Sequence, residues 1–401
     1  MTAAQVSRRG LLAGACSLAL VGGTATGVSA RGASTDLRLP RPTGGHRVGT
    51  RVLHLVDHGR EDPWVRGRAR ELMVGLWYPG GDGGEPVTHM TAAAGAHFGG
   101  PAGAGTANLG MPPGSVAWGR TRTSAFLGAP ADRSAGRPPV VLYSPGLADP
   151  RTLGTTLAEE LASRGYAVVA IDHTYESSEV EFPGGRLATS LLLEREPPSD
   201  PGEAAALLRK LMAVRVADTR FVLDRLRGLG RVLDLRRVGM AGHSAGGFTA
   251  AQAMHDDRRI RAAVNMDGVM DFGEGGLSSV ARDGVDRPVL LLGSETTGDY
   301  RRSPSWAAFW RNTRGWKFNG TLRGSRHASF NDAEALLPEL ARRGVEPGGG
   351  LAEVVGTIPP ERALAATRAY AVSFFDLWLR GIDDHLLDGP SDRFPEMTVT
   401  P

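Results

Sequence analysis

The chain has one cysteine, Cys16, and only two lysines, Lys210 and Lys317. Cys16 lies in an N-terminal segment that reads as a removable export signal: a basic start at Arg8 and Arg9, an apolar stretch from Leu11 to Gly22, and small residues Val28-Ser29-Ala30 at a cleavage point. With residues 1–30 removed, no cysteine is left, which excludes a disulfide, a thiolate metal site and a cysteine nucleophile. Cys16 in Ala13-Gly14-Ala15-Cys16 could instead carry a lipid, but so few apolar residues precede it that cleavage downstream is preferred. The lack of lysine against many arginines reflects base composition; no basic stripe stands out, and nucleic acid is not an expected partner. Loss of Arg8 and Arg9 takes the formal charge from +3 to +1. No apolar run reaches the roughly 20 residues that a membrane-spanning helix needs. There is no internal repeat, no phosphate loop, no dinucleotide fingerprint and no metal-ligand spacing, so no cofactor or metal is expected.

Ser7-Arg8-Arg9-Gly10-Leu11-Leu12 follows the twin-arginine pattern of bacterial export, an ordinary secretory signal being the alternative. Residues 31–44 are polar and carry two prolines, as a linker does. With 41% hydrophobic content the remainder can bury a large core, and one domain over 45–385 is expected, followed by an exposed tail at 386–401. "RVGTRVLHLVD" and "ELMVGLWYP" read as two antiparallel strands at a sheet edge. Residues 80–114, rich in glycine, alanine and proline, offer no regular element.

From residue 138 short apolar runs alternate with helical segments. "PPVVLYSPG", "YAVVAIDH", "RRVGMAG", "IRAAVNMDG", "RPVLLLGSE" and "WKFNGTLRGSRH" are predicted strands. Helices are predicted at 151–164, about 203–228, 245–255 and 361–380. This order indicates an α/β fold with a mostly parallel central sheet and helices on both faces. Residues 176–202 are too long for a plain connection and form a candidate lid or pocket wall.

"VGMAGHSAGG" ends a buried run at a serine between small residues. Gly-x-Ser-x-Gly between strand and helix is a nucleophile elbow, in which small neighbours let strand and helix approach and the serine hydroxyl stands above the sheet. Ser244 is therefore the predicted nucleophile, and it needs a base held by a carboxylate. Elbows of this kind take the order serine, acid, histidine, which leaves His255, His327 and His385. His255 would stand about 16 Å along the same helix, and His385 falls in a charged, exposed stretch; His327 in "GSRHASFND" is the predicted base. Asp267 and Glu295 both follow strands, with Asp271 a third option, and local pattern leaves Asp267 and Glu295 nearly tied. The oxyanion donors are expected to be the N–H groups of Ala245 and of Leu147 in Ser144-Pro145-Gly146-Leu147.

The ordered set "RELMVGLWYP", "VVLYSPGL", "ADTRFVLDRL", "GHSAGG", "NMDG" and "SRHASFND" resembles the α/β-hydrolase family of the plasma and type II platelet-activating-factor acetylhydrolases and their bacterial lipase-like relatives. The resemblance implies an α/β-hydrolase fold, Asp267 rather than Glu295 as the acid, Leu147 and Ala245 as oxyanion donors, and short-chain or oxidised-phospholipid-like acyl esters as substrates. Simple lipids and polyesters stay open. Ser144-Pro145-Gly146 departs from the Ser-His-Gly of the family's mammalian members, so no role passes over from that histidine. The expected activity is that of an exported serine carboxylic ester hydrolase acting on a small-molecule or lipid ester; the rivals are a peptidase or amidase on the same triad and a non-catalytic exported binding protein. Trp306, Phe309 and Trp310 are expected in the core, His243 to pack or hydrogen-bond at its strand end, and Asp172-His173 to cap a strand.

Overall fold

A computed structural model describes residues 37–401; residues 1–30, read above as an export signal, lie outside the described residues. Among the described residues thirteen strands run in chain order as β1 (Arg47–Glu61), β2 (Ala69–Gly80), β3 (Glu85–Thr88), β4 (Arg122–Leu127), β5 (Pro139–Ser144), β6 (Ala167–Asp172), β7 (Glu179–Glu181), β8 (Leu187–Thr189), β9 (Asp234–His243), β10 (Ile260–Met266), β11 (Val289–Ser294), β12 (Lys317–Leu322) and β13 (Met397–Thr400). Eleven form one sheet in the order β13-β12-β11-β10-β9-β5-β6-β2-β1-β4-β3, and β7 pairs with β8. The six strands from β12 to β6 are parallel, while β13 and β2 are antiparallel to their neighbours in that block.

Successive residues of a strand face opposite sides of a sheet, and the two cores follow that alternation. Val141 and Tyr143 of β5 face Leu157 and Leu161 of helix Thr155–Ser163 and the aromatics of helix Pro360–Phe375. Val140 and Leu142 face Met212, Val216 and Leu223 of helix Pro201–Leu226 and Met254 of helix Ala245–Asp256. Both faces of the central strands are covered, which is why they read as unbroken apolar runs. Trp306 and Phe309 are buried in the second core, as expected, and Trp310 stacks on Tyr300 beside it.

Four expectations need correction. The pair β1 and β2 is internal to the sheet, because β4 pairs with β1 and β3 with β4. Residues 80–114 are not without structure: they hold β3 and helix Ala92–Phe98, whose Phe98 packs edge-on against the buried Trp118. The described part of the 31–44 linker is packed; Leu37 and Leu39 are buried, and Thr43 donates to Glu160 at 2.7 Å. The tail is not exposed throughout, since Leu386, Leu387 and Phe394 enter the first core and β13 closes the sheet edge on β12. The terminal helix ends at Phe375, widens into a π turn over Asp376–Arg380, and stops at Gly381 in the left-handed conformation.

β6 lies on one side of β5, and β9 to β12 lie in turn on the other. A crevice forms where strand order reverses, beyond the carboxyl ends of the strands. The predicted site residues follow those ends: Leu147 after β5, Ser244 after β9, Asp267 after β10 and His327 after β12.

Candidate active site

Ser244 sits between β9 and helix Ala245–Asp256 with φ 56° and ψ −123°, a conformation that costs a non-glycine residue free energy. The backbone is held there by Ser244 N–H donating to Met266 O at 2.8 Å and by Phe248 N–H donating to Ser244 O at 3.1 Å. The small neighbours have a steric reason. A Cβ at Gly246 would overlap the Ser144 carbonyl, and one at Gly242 would overlap the backbone of Gly246. Strand β5, the elbow and the helix therefore meet backbone to backbone.

Asp267 follows β10 with φ 58°, and Asp267 N–H donates to Leu292 O at 2.7 Å. Its Oδ1 accepts from Ser294 N–H at 2.8 Å and from the Thr297 hydroxyl; its Oδ2 lies 2.6 Å from His327 Nδ1. Burial alone would raise the Asp267 pKa, but the hydrogen bonds from His327, Thr297 and Ser294 leave it below the ordinary carboxylate range. With Nδ1–H given to Asp267, His327 keeps Nε2 as its proton acceptor. Burial opposes the imidazolium, yet the Asp267 bond and charge, with Asp149 further off, raise the His327 pKa above its usual value.

Ser244 and His327 line one small cleft with Asn108, Leu109, Gly146, Leu147, Asp149 and Asn331. Glu295, the rival acid, accepts from Gly324 N–H at 3.1 Å and lies 3.8 Å from Arg326; its carboxylate is not the one bonded to His327. His255 pairs with Asp256 and Asp283 at the helix end, and His385 is exposed beside Asp388. Ala245 opens its helix, so its N–H has no acceptor within that helix. Leu147 is a cleft residue whose N–H donates to no group among the described residues.

Sequence reasoning missed several residues here. Asp149 is buried, accepts from Asn108 Nδ2 at 2.7 Å, and is pushed by burial up to about 6. His243, expected to pack or hydrogen-bond at its strand end, donates from Nε2 to the His327 carbonyl at 2.8 Å, tying the His327 loop to the elbow. Part of the cleft wall comes from Asn108 and Leu109 in the segment set aside as irregular; residues 176–202 supply none of the lining, and Val180, Phe182 and Ala188 of that segment are buried in a small cluster with Met73 of β2. Asp172 accepts from Arg151 N–H at 2.6 Å, a capping role as expected, and His173 is fully buried.

A parallel sheet reversing order at β5 and β9, with a left-handed serine after the strand next to that reversal, defines an α/β-hydrolase. The chain belongs to the family described as platelet-activating factor acetylhydrolase, isoform II, whose pattern matches residues 32–183 and 211–377. It is 31% identical over 264 residues to a "Probable 1-alkyl-2-acetylglycerophosphocholine esterase" of Arthroderma benhamiae, covering 65% of each. It is 24% identical over 294 residues to the platelet-activating factor acetylhydrolase of Cavia porcellus, covering 65% of this chain and 63% of that protein. The match thus spans less than two thirds of these relatives' own length. The solved structure of a ferulic acid esterase from Streptomyces cinnamoneus superposes with a TM-score of 0.76 at 38% identity, covering 91% of this chain and 100% of that one.

Proposed function

We propose that the protein is an exported serine carboxylic ester hydrolase in which Ser244 attacks the ester carbonyl, His327 takes the serine proton and returns it to the leaving alcohol, and Asp267 orients His327. The N–H groups of Leu147 and Ala245 stabilise the oxyanion, and a second round with water releases the acid from the acyl-enzyme. The observation that carries this reading is the Asp267–His327 hydrogen bond of 2.6 Å at the cleft that Ser244 lines from a left-handed backbone. The relatives named as an acetylglycerophosphocholine esterase and a ferulic acid esterase support ester chemistry. The cleft is small, and Asn108, Asp149 and Asn331 make its wall partly polar, which favours a short acyl group over a long chain. Export rests on the twin-arginine pattern at Ser7-Arg8-Arg9.

A fluorophosphonate probe tests the mechanism: the folded protein is labelled at Ser244, and Ser244→Ala is not. Folded wild-type protein that stays unlabelled points to a binding protein instead. Turnover of an acyl-chain series, with matched ester and anilide substrates, is expected to favour short esters. Faster cleavage of the anilide would favour the amidase reading.

A further inference from the structure

Behind the cleft lies a second serine, histidine and aspartate in hydrogen-bond contact, all fully buried. His173 Nδ1 is 3.0 Å from Asp218, and His173 Nε2 is 3.0 Å from Ser144 Oγ. Asp218 is also paired with the buried Arg70, so His173 gives it the Nδ1 proton and accepts the Ser144 hydroxyl at Nε2. Burial and the charge of Arg215 hold the His173 pKa down, consistent with a neutral ring. No substrate reaches this Ser144. Its oxygen instead accepts a hydrogen bond from Arg215 Nη1 at 3.1 Å.

Arg215 shows what the network holds. Its guanidinium, paired with Glu176, donates to Pro145 O at 2.7 Å and to Gly146 O at 2.9 Å. Those carbonyls belong to the loop that carries Leu147. In a trans peptide the C=O and the following N–H point in opposite directions. Drawing Gly146 O onto a buried cation therefore turns Leu147 N–H the other way. The loop's next carbonyls are also anchored: Leu147 O accepts from Asn108 Nδ2 at 2.9 Å and Ala148 O from Ser178 N–H at 2.7 Å, with Ala148 itself at φ 61°. Leu147 N–H is left without a protein acceptor among the described residues.

We propose that Arg215, braced by Glu176 and by the Asp218–His173–Ser144 chain, is a positioning residue that presets Leu147 N–H as an oxyanion donor. The inference rests on the serine-hydrolase reading above. A preset donor stabilises charge that appears only in the transition state, so its loss lowers kcat and spares KM. Lysine cannot replace the fork, because one ammonium does not hold two adjacent carbonyls in fixed directions.

The test uses Arg215→Lys and the charge-neutral double variant Arg215→Met/Glu176→Met, with p-nitrophenyl acetate as substrate and a trifluoromethyl ketone as tetrahedral analogue. Labelling of wild-type protein by fluorophosphonate, absent in Ser244→Ala, first checks the underlying reading. Given that, kcat is expected to fall about 10²–10³-fold with KM within about threefold. Analogue affinity should fall in step with kcat while circular dichroism is unchanged. The inference is overturned if Arg215→Lys keeps kcat and analogue affinity within about threefold of wild type, whether or not the double variant folds. It is overturned equally if KM and analogue affinity worsen by one common factor, or if the loss of rate merely follows loss of folded protein.

Discussion

His243 and His327 stand with ring centroids 4.6 Å apart, and their pKa values move in opposite directions. Burial first, and then the charge of His327, push His243 down to about 3, so it stays neutral and serves as a donor to the His327 carbonyl. His327 rises despite burial because Asp267 faces its Nδ1. One imidazole is structural and the other is free to carry a proton.

That asymmetry fixes the sign of the pH dependence. In the proposed mechanism His327 must be neutral to accept the Ser244 proton, so kcat/KM is expected to fall as pH drops, with the acid limb above the ordinary histidine value of about 6.5. Asp149, charged only above its value of about 6, helps to hold His327 up. Asp149→Asn is expected to move the limb to lower pH. A pH profile of kcat/KM for both proteins checks this; an unmoved limb would mean that Asp149 does not act on His327.

Asp267, the proposed orienting acid, gives a second prediction. Asp267→Asn should lower kcat about 10⁴-fold: Ser294 N–H and the Thr297 hydroxyl hold the amide oxygen at the Oδ1 position, so the NH2 group faces His327 Nδ1 as a donor and the imidazole takes the wrong tautomer. Glu295→Gln should leave kcat within about twofold, since Glu295 bonds to the Gly324 backbone instead. Steady-state rates of the two variants decide between carboxylates that local sequence pattern could not separate.

The six parallel strands β5, β6, β9, β10, β11 and β12 were readable because residues buried on both faces leave apolar runs. The elbow was readable because backbone contact admits only glycine at positions 242 and 246, two residues to either side of Ser244. Other strands were not: β3 and β13 have only four residues, and β4, as long as β5, is mostly part-exposed and carries no long apolar run, so its place in the sheet depends on partners far away in the chain. The buried tail was missed because Leu386, Leu387 and Phe394 are separated by charged residues that still reach solvent. Asp149, Arg215 and His173 matter through partners distant in sequence, and a local pattern contains no trace of such pairings.

Gly246 offers a steric test. Gly246→Ala would drive a methyl group into the Ser144 carbonyl, and neither backbone can retreat without breaking the β5–β9 register. A loss of about 3 kcal/mol, or failure to fold, is expected. Gly45→Ala meets nothing within 4 Å and should be neutral. Thermal unfolding midpoints compare the two, and a stable, active Gly246→Ala would show that the elbow has slack.

Glu334 carries the last prediction, which concerns stability. Its side chain is fully buried in helix Ala333–Arg342, and neither carboxyl oxygen has a hydrogen-bond partner. The Ser329 hydroxyl spends its proton on Val355 O at 2.7 Å. Burial, with Glu361 adding repulsion, raises the Glu334 pKa to about 8. Below the unfolded value of about 4.3 both states are protonated and the group contributes no pH dependence. Between that value and about 8 the unfolded chain ionises while the folded one does not, so folding takes up a proton and stability falls as pH rises, by at most about 1.4 kcal/mol per pH unit. Glu334→Met removes the titrating group and fills similar space. The variant is expected to exceed wild type by about 1–3 kcal/mol at pH 8, with the gap closing toward pH 4. Urea unfolding of both proteins across that range measures it, and a gap that is constant with pH would show that Glu334 keeps its charge in the folded protein.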